Sequence, residues 1–328
     1  MLIKKFSTLF LLITVGVFLT SCSDGISNYK FFNKEHIKVA LVLPQSISNS
    51  PTCREAYNGL KRIKQDYKAE IGVVEKVNQS EARKVFIALA KKKFDLIITL
   101  DYKQGQIMKQ LARMYPETFF CIVNGSTSQS PNLCSFNFKD EQYGYLIGAV
   151  AGLNTSTNKA GIVIQGKSPS TRKIVLGMRR GLQSINPKAD LLVSYIKKSN
   201  DISAGKEAAL VQINSGVDVI AHHADISGIG VIKAAEEADI LAIGSVEDQH
   251  DLAPNIVITS GIKDISQLVY LACEKYIEKK LEPINYYFGL KDQVIDLAPS
   301  YGNVDPTTEA KINQIKTKLT DLESEDNS

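Results

Sequence analysis

The sequence predicts an α/β fold of two Rossmann-like lobes, each built on a parallel sheet, with a cleft between them. Three observations carry this. From Ile37 onward, short β-branched runs alternate with segments of helical spacing. The runs number ten, which is crowded for one open sheet but natural for two of five or six strands. The chain has 328 residues, 44% hydrophobic and 23% charged, enough for two cores of ordinary size.

The elements follow in order. Lys4 and Lys5 precede an apolar run from Phe6 to Leu19, then Leu19-Thr20-Ser21-Cys22. The run is too short to span a bilayer and fits a secretory signal over residues 1–21. Leu-x-small-Cys after such a run resembles the bacterial lipobox, whose cysteine thiol takes a diacylglyceryl group. Cys22 is therefore the expected lipid attachment site, which makes the membrane a partner through the N-terminal lipid. Residues 22–35 are polar and read as a tether.

Strands are expected at 37–43, 70–74, 95–100, 119–123, 133–136, 160–164, 191–196, 217–221, 240–243 and 256–259. The first helix is well signalled. Ser50 is its N-cap, Pro51 its first residue, and Ala56, Tyr57, Leu60, Ile63 and Tyr67 share one face. Further helices are expected near 80–92, 104–114, 140–153, 170–185, 202–214, 228–238 and 264–280. In 140–153, Gly144, Gly148 and Gly152 recur every fourth residue, which predicts a buried helix pressed close to a sheet. The first lobe is expected over 36–138 plus 248–283, and the second over 139–247 plus 284–320. A flexible tail covers 321–328. Hinges fall near 136–140, 244–249 and 281–286.

Charge excludes some partners. Loss of residues 1–21 removes two lysines, so 37 basic residues face 35 acidic ones. That balance, with no basic stripe interleaved with aromatics, excludes a nucleic-acid protein. The chain has no His-Glu-x-x-His, no Cys-x-x-Cys and no Gly-x-Ser-x-Gly, so no metal, cofactor or serine-hydrolase chemistry is expected. Adjacent His222 and His223 end a strand and point to opposite faces, so only one can reach a given site. An enzyme using either with Asp248 is a weaker alternative. Cys53, Cys121, Cys134 and Cys273 are expected as buried thiols. Cys121 and Cys134 are the only pair worth considering for a disulfide.

In open α/β sheets ligands bind beyond the carboxyl ends of the strands. Asp101, Asn124, His222-His223 and the run Ser245-Val246-Glu247-Asp248 all follow expected strands, and each is a candidate for the cleft lining. Ser227-Gly228-Ile229-Gly230 opens a helix, where it serves as either a tight cap or a ligand contact.

Several stretches resemble the basic membrane protein family of lipoproteins. They include Glu55–Lys61, Tyr115–Val123, Tyr143–Gly152, His222–Ala235, Asp248-Gln249 and Thr259–Lys263, in order along almost the whole mature chain. The resemblance implies a type I periplasmic-binding-protein-like fold. It also implies a lipid-anchored, monomeric solute receptor of an ABC-type importer, partnered by a permease and an ATPase and performing no chemistry. Family receptors sandwich a purine nucleoside between two aromatic rings. Here the first ring's segment reads Pro51-Thr52-Cys53 and the second ring is Ser199. A strand-end carboxylate is Asn124, the ribose-holding acid is Val246, and Lys263 matches. Two lost stacks at about 1 kcal/mol each and two lost charge-assisted contacts at about 1.5–3 kcal/mol each predict an affinity for nucleosides on the order of a thousandfold weaker. The remaining set, Thr52, Cys53, Asp101, Asn124, Ser199, Val246, Asp248 and Lys263, predicts a small, polar solute. With its acidic neighbours gone, Lys263 is expected to be poorly neutralised, which would favour an anion. A sensing or adhesion lipoprotein on the same scaffold is the alternative function.

Overall fold

The computed structural model describes residues 36–325; the signal segment, Cys22, the tether and the last three residues lie outside it. The first sheet is built from β1 (Lys38–Val42), β2 (Glu70–Val74), β3 (Leu96–Thr99), β4 (Phe119–Val123) and β5 (Leu133–Phe138), linked by α1 (Pro51–Tyr67), α2 (Gln79–Lys91) and α3 (Gly105–Met114). The chain then crosses to α4 (Asp140–Asn154), β6 (Lys159–Gln165), α5 (Pro169–Ile185), β7 (Asp190–Ile196), α6 (Ile202–Ile213), β8 (Val219–His223), α7 (Gly228–Glu237), β9 (Leu241–Val246) and β10 (Val257–Lys263). Four elements close the structure: α8 (Ile265–Ile277), β11 (Asn285–Phe288), β12 (Ile295–Leu297) and α9 (Pro306–Glu325).

Strand order is β11-β5-β4-β3-β1-β2 in one sheet and β12-β10-β9-β8-β6-β7 in the other. All pairs are parallel except β10–β12. Helices start where short polar side chains satisfy free N–H groups. Ser50 accepts from the Cys53 amide before Pro51, Asn78 caps α2, Asp201 caps α6 and Asp264 caps α8. The largest apolar cluster runs from under α1 and α8 through to α4 and α5, and a smaller one fills the opposite face of each sheet.

All ten expected strands form. The boundaries between the lobes do not fall where the sequence places them. Residues 248–283 are divided: β10 pairs with β9 in the second sheet, whereas α8 packs on α1 and the first sheet as expected. Residues 284–320 are divided too: β11 pairs in register with β5 of the first sheet, whereas β12 pairs with β10 and α9 packs on α4 in the second lobe. The crossings therefore lie at Lys139, at Asp264 and in 289–294. Sheet membership is decided by backbone pairing with distant strands, which local pattern does not encode. Residues 321–325 of the expected tail continue α9, whose earlier residues Ile312, Ile315 and Leu319 pack on the large core.

The α4 glycines have a different partner from the one expected. A Cβ on Gly144 or Gly148 would lie 2.1 or 2.0 Å from the carbonyl oxygen of Ile174 or Met178 on α5. A Cβ on Gly177 or Gly181 of α5 would meet the Glu141 or Tyr145 carbonyl of α4 at 2.0 Å. The close approach is reciprocal and helix-to-helix, with glycine on both sides.

Candidate ligand-binding site at the facing sheet edges

The three crossings all join carboxyl ends. Parallel β5 and β11 end at Phe138 and Phe288, and β10 ends at Lys263, where antiparallel β12 begins opposite it. Backbone bonds tie the crossings together: Lys139 N–H donates to the Phe288 carbonyl at 2.8 Å and Asp264 N–H to the Val294 carbonyl at 2.9 Å. The carboxyl edges of the two sheets consequently face one another across the crossings, the place where open α/β sheets take ligands.

At the root of this junction Lys263 Nζ lies 2.6 Å from Asp140 Oδ1, with side chains 5% and 9% exposed. The ammonium also sits over the rings of Phe138, at 4.6 Å, and Tyr143, at 5.1 Å. Burial by itself would raise the Asp140 carboxyl, but the Lys263 charge and hydrogen bond, with the Ser170 hydroxyl, hold it below its usual value. Asp140 occupies the first turn of α4, where a helix favours an anion. The expected shortage of negative charge around Lys263 is thus wrong: an acid outside the matching motifs neutralises it.

Beside the pair, Ser245 Oγ lies 2.8 Å from the Tyr143 hydroxyl and 2.9 Å from His223 Nδ1, and the two rings meet edge to face. Sequence reasoning missed these contacts of Ser245, because the serine is on β9, His223 on β8 and Tyr143 on α4. Burial, then the Lys263 charge, pushes His223 down to about 3, too weak a base to activate a hydroxyl near neutral pH. His222, on the other face, donates from Nε2 to Gln249 Oε1 at 2.7 Å and packs on Gly228; burial lowers it to about 4. The Gly228–Gly230 turn serves packing. A Cβ at Gly228 would strike His222, and one at Gly230 would strike the Ile202 carbonyl of α6.

The other candidates divide. Thr52, Asp101 and Asn124 lie at the carboxyl edge of the first sheet, where the Asn124 backbone N–H donates to the Phe136 carbonyl at 2.7 Å. Ser199 and Val246 lie at the carboxyl edge of the second, with Lys263. Asn124 (φ 59°) and Val246 (φ 73°) both end strands in the left-handed region, easy for asparagine but strained for a β-branched residue. Two candidates point elsewhere. Cys53 is 1% exposed within the apolar core, on the inward face of α1. The Asp248 carboxylate accepts from Tyr301, whose segment (298–303) runs back along β10 away from the carboxyl edge. All four described cysteines are free and buried, with Cys121 and Cys134 opposite each other on β4 and β5.

Two parallel-stranded sheets, joined by three crossings with carboxyl edges opposed, define a two-lobed α/β protein with a candidate ligand cleft between its lobes. Solved structures agree on the fold. A transcriptional activator of the comK gene from Bacillus halodurans has a TM-score of 0.76 at 24% identity, covering 86% of this chain and 97% of that one. A solute-binding protein of an ABC transporter system from Aeropyrum pernix K1 has 0.72 at 18%, covering 88% and 92%. Residues 36–327 match the Bmp family, described as PnrA-like ABC transporter substrate-binding proteins, and the chain belongs to that family. Basic membrane protein A2 of Borrelia garinii subsp. bavariensis is 27% identical over 297 residues, 87% of each chain.

Proposed function

We propose that this protein is the lipid-anchored receptor of an ABC-type importer, which closes its two lobes on a small polar solute and passes it unaltered to a permease. The opposed carboxyl edges with the buried Lys263–Asp140 pair at their root carry the reading. Closure about the three crossings shields bound polar groups from water and strengthens each contact. Thr52, Asp101 and Asn124 on one edge, with Ser199, the Val246 backbone and Lys263 on the other, are the proposed contacts. Because Asp140 balances Lys263, that lysine gives no pull towards the anion that the sequence favoured, and a neutral polar solute is the better fit. Cys22 is the anchor.

Native mass spectrometry of gently purified protein, followed by calorimetry with the species found and with adenosine, guanosine and inosine, tests this. The expected result is a retained neutral polar molecule, with nucleosides bound weakly. Tight nucleoside binding would refute the pocket assignment. Absence of any bound or bindable solute, with no closure on scattering, would refute the receptor reading itself.

A further inference from the structure

In parallel sheets covered by helices, the helix carboxyl ends gather at the strands' amino edge. In the first lobe this pole is where α1, α2 and α8 finish and where β1 begins, two residues after His36. It carries Lys64, Lys68, Lys91, Lys92, Lys93 and Lys279, all exposed and none in an ion pair among the described residues, beside the exposed acids Asp66, Glu70, Glu117 and Glu278, of which Glu70 and Glu278 are paired with Lys38 and Lys280. Lys68, Lys93 and Lys279 take φ of 53°, 60° and 58° at the three helix ends, a conformation that glycine or asparagine adopts with less strain.

Lysine at a helix carboxyl end also complements the helix dipole, which is the ordinary explanation. The second lobe argues against it as sufficient. There the left-handed positions before β6, β8 and β9 are Asn158, Gly216 and Asp239, and exposed Glu236 and Glu237 end α7. The same geometry is built without a basic residue. Exposed Lys159 and Lys188 lie at the second lobe's amino edge too, but its helix ends lack the lysine cluster found on the lobe that the tether enters.

Resting on the anchored receptor reading, we propose that this lysine pole of the first lobe docks on anionic phospholipid headgroups of the membrane that holds the protein. The tether of residues 22–35 reaches at most roughly 50 Å when extended, so the pole stays at high effective concentration over the bilayer. A single anchor plus a basic patch is a combination that holds a protein close to a charged leaflet.

The test uses the full lipidated chain reconstituted on phosphatidylcholine vesicles with and without phosphatidylglycerol, read by amide hydrogen exchange. The last turns of α1 and α2 should exchange about tenfold more slowly on the anionic vesicles at low salt. High salt, or Lys68→Glu/Lys92→Glu/Lys93→Glu, should abolish that difference while the second lobe is unaffected. Equal exchange on both vesicle types overturns the proposal. So does protection that appears only in native membranes, because the face would then belong to a protein partner. Flotation with neutral vesicles reads the anchor separately. Should the chain fail to float there, the anchor reading fails, and docking is then judged by binding to anionic vesicles from solution, where no binding refutes it.

Discussion

Asp140→Asn is the sharpest test of how the junction is held. The substitution keeps the side-chain shape but leaves the Lys263 ammonium, 5% exposed, without its anion 2.6 Å away. At an effective dielectric of about 20 the direct attraction is on the order of 6 kcal/mol. Desolvation of both groups offsets much of this, and breaking such a pair by removing one partner costs about 3–5 kcal/mol. The Phe138 and Tyr143 rings lie under the ammonium in parent and variant alike and so cancel in the difference. A net loss of about 3 kcal/mol lowers the thermal midpoint by roughly 6–12 °C at this chain length. Lys263→Met should cost a similar amount by leaving Asp140 buried and unpaired, whereas the double variant should recover most of the loss. Scanning calorimetry of the four proteins at neutral pH measures this. A midpoint for Asp140→Asn within 2 °C (about 1 kcal/mol) of the parent, or a double variant as unstable as the sum of the singles, would refute the reasoning.

Other expectations follow from the same geometry. His222 and His223, held at about 4 and 3 against an unfolded value near 6.5, keep their full stabilising effect above pH 6.5 and lose it as pH falls through their folded values. The loss is about 3 kcal/mol or more for each, so urea midpoints should decline steadily below pH 6.5; a flat profile down to pH 4.5 would contradict their burial as neutral rings. Asp140, also depressed, adds its loss only in the acid range below the usual carboxylate value. Gly148→Ala should lower stability by about 3 kcal/mol or prevent folding, because the backbone of α5 cannot move aside locally; a midpoint like the parent's would show that α4 and α5 do not interlock. Val246→Gly should stabilise the protein by about 1 kcal/mol through relief of the left-handed strain, read by urea unfolding; a loss of stability would place that side chain in a packing role.

The sequence determined the elements. Alternation of β-branched runs and amphipathic segments is a local record of which face of each element is buried, so ten strands and eight helices are legible in the residue pattern alone. β11 and β12 escaped because four and three residues at a sheet edge leave almost no pattern, and α9 because few of its described side chains, among them Ile312, Ile315 and Leu319, meet the core. Candidate residues at strand carboxyl ends were equally legible, since parallel topology dictates where ligands sit. Tertiary structure alone decided which charges meet. Asp140 and Lys263 lie 123 positions apart, and Tyr143 and Ser245 lie 102 apart. These contacts exist because the chain crosses between sheets three times at one edge. Crossing points follow from backbone hydrogen bonding between distant strands, and a composition or spacing pattern carries no term for that.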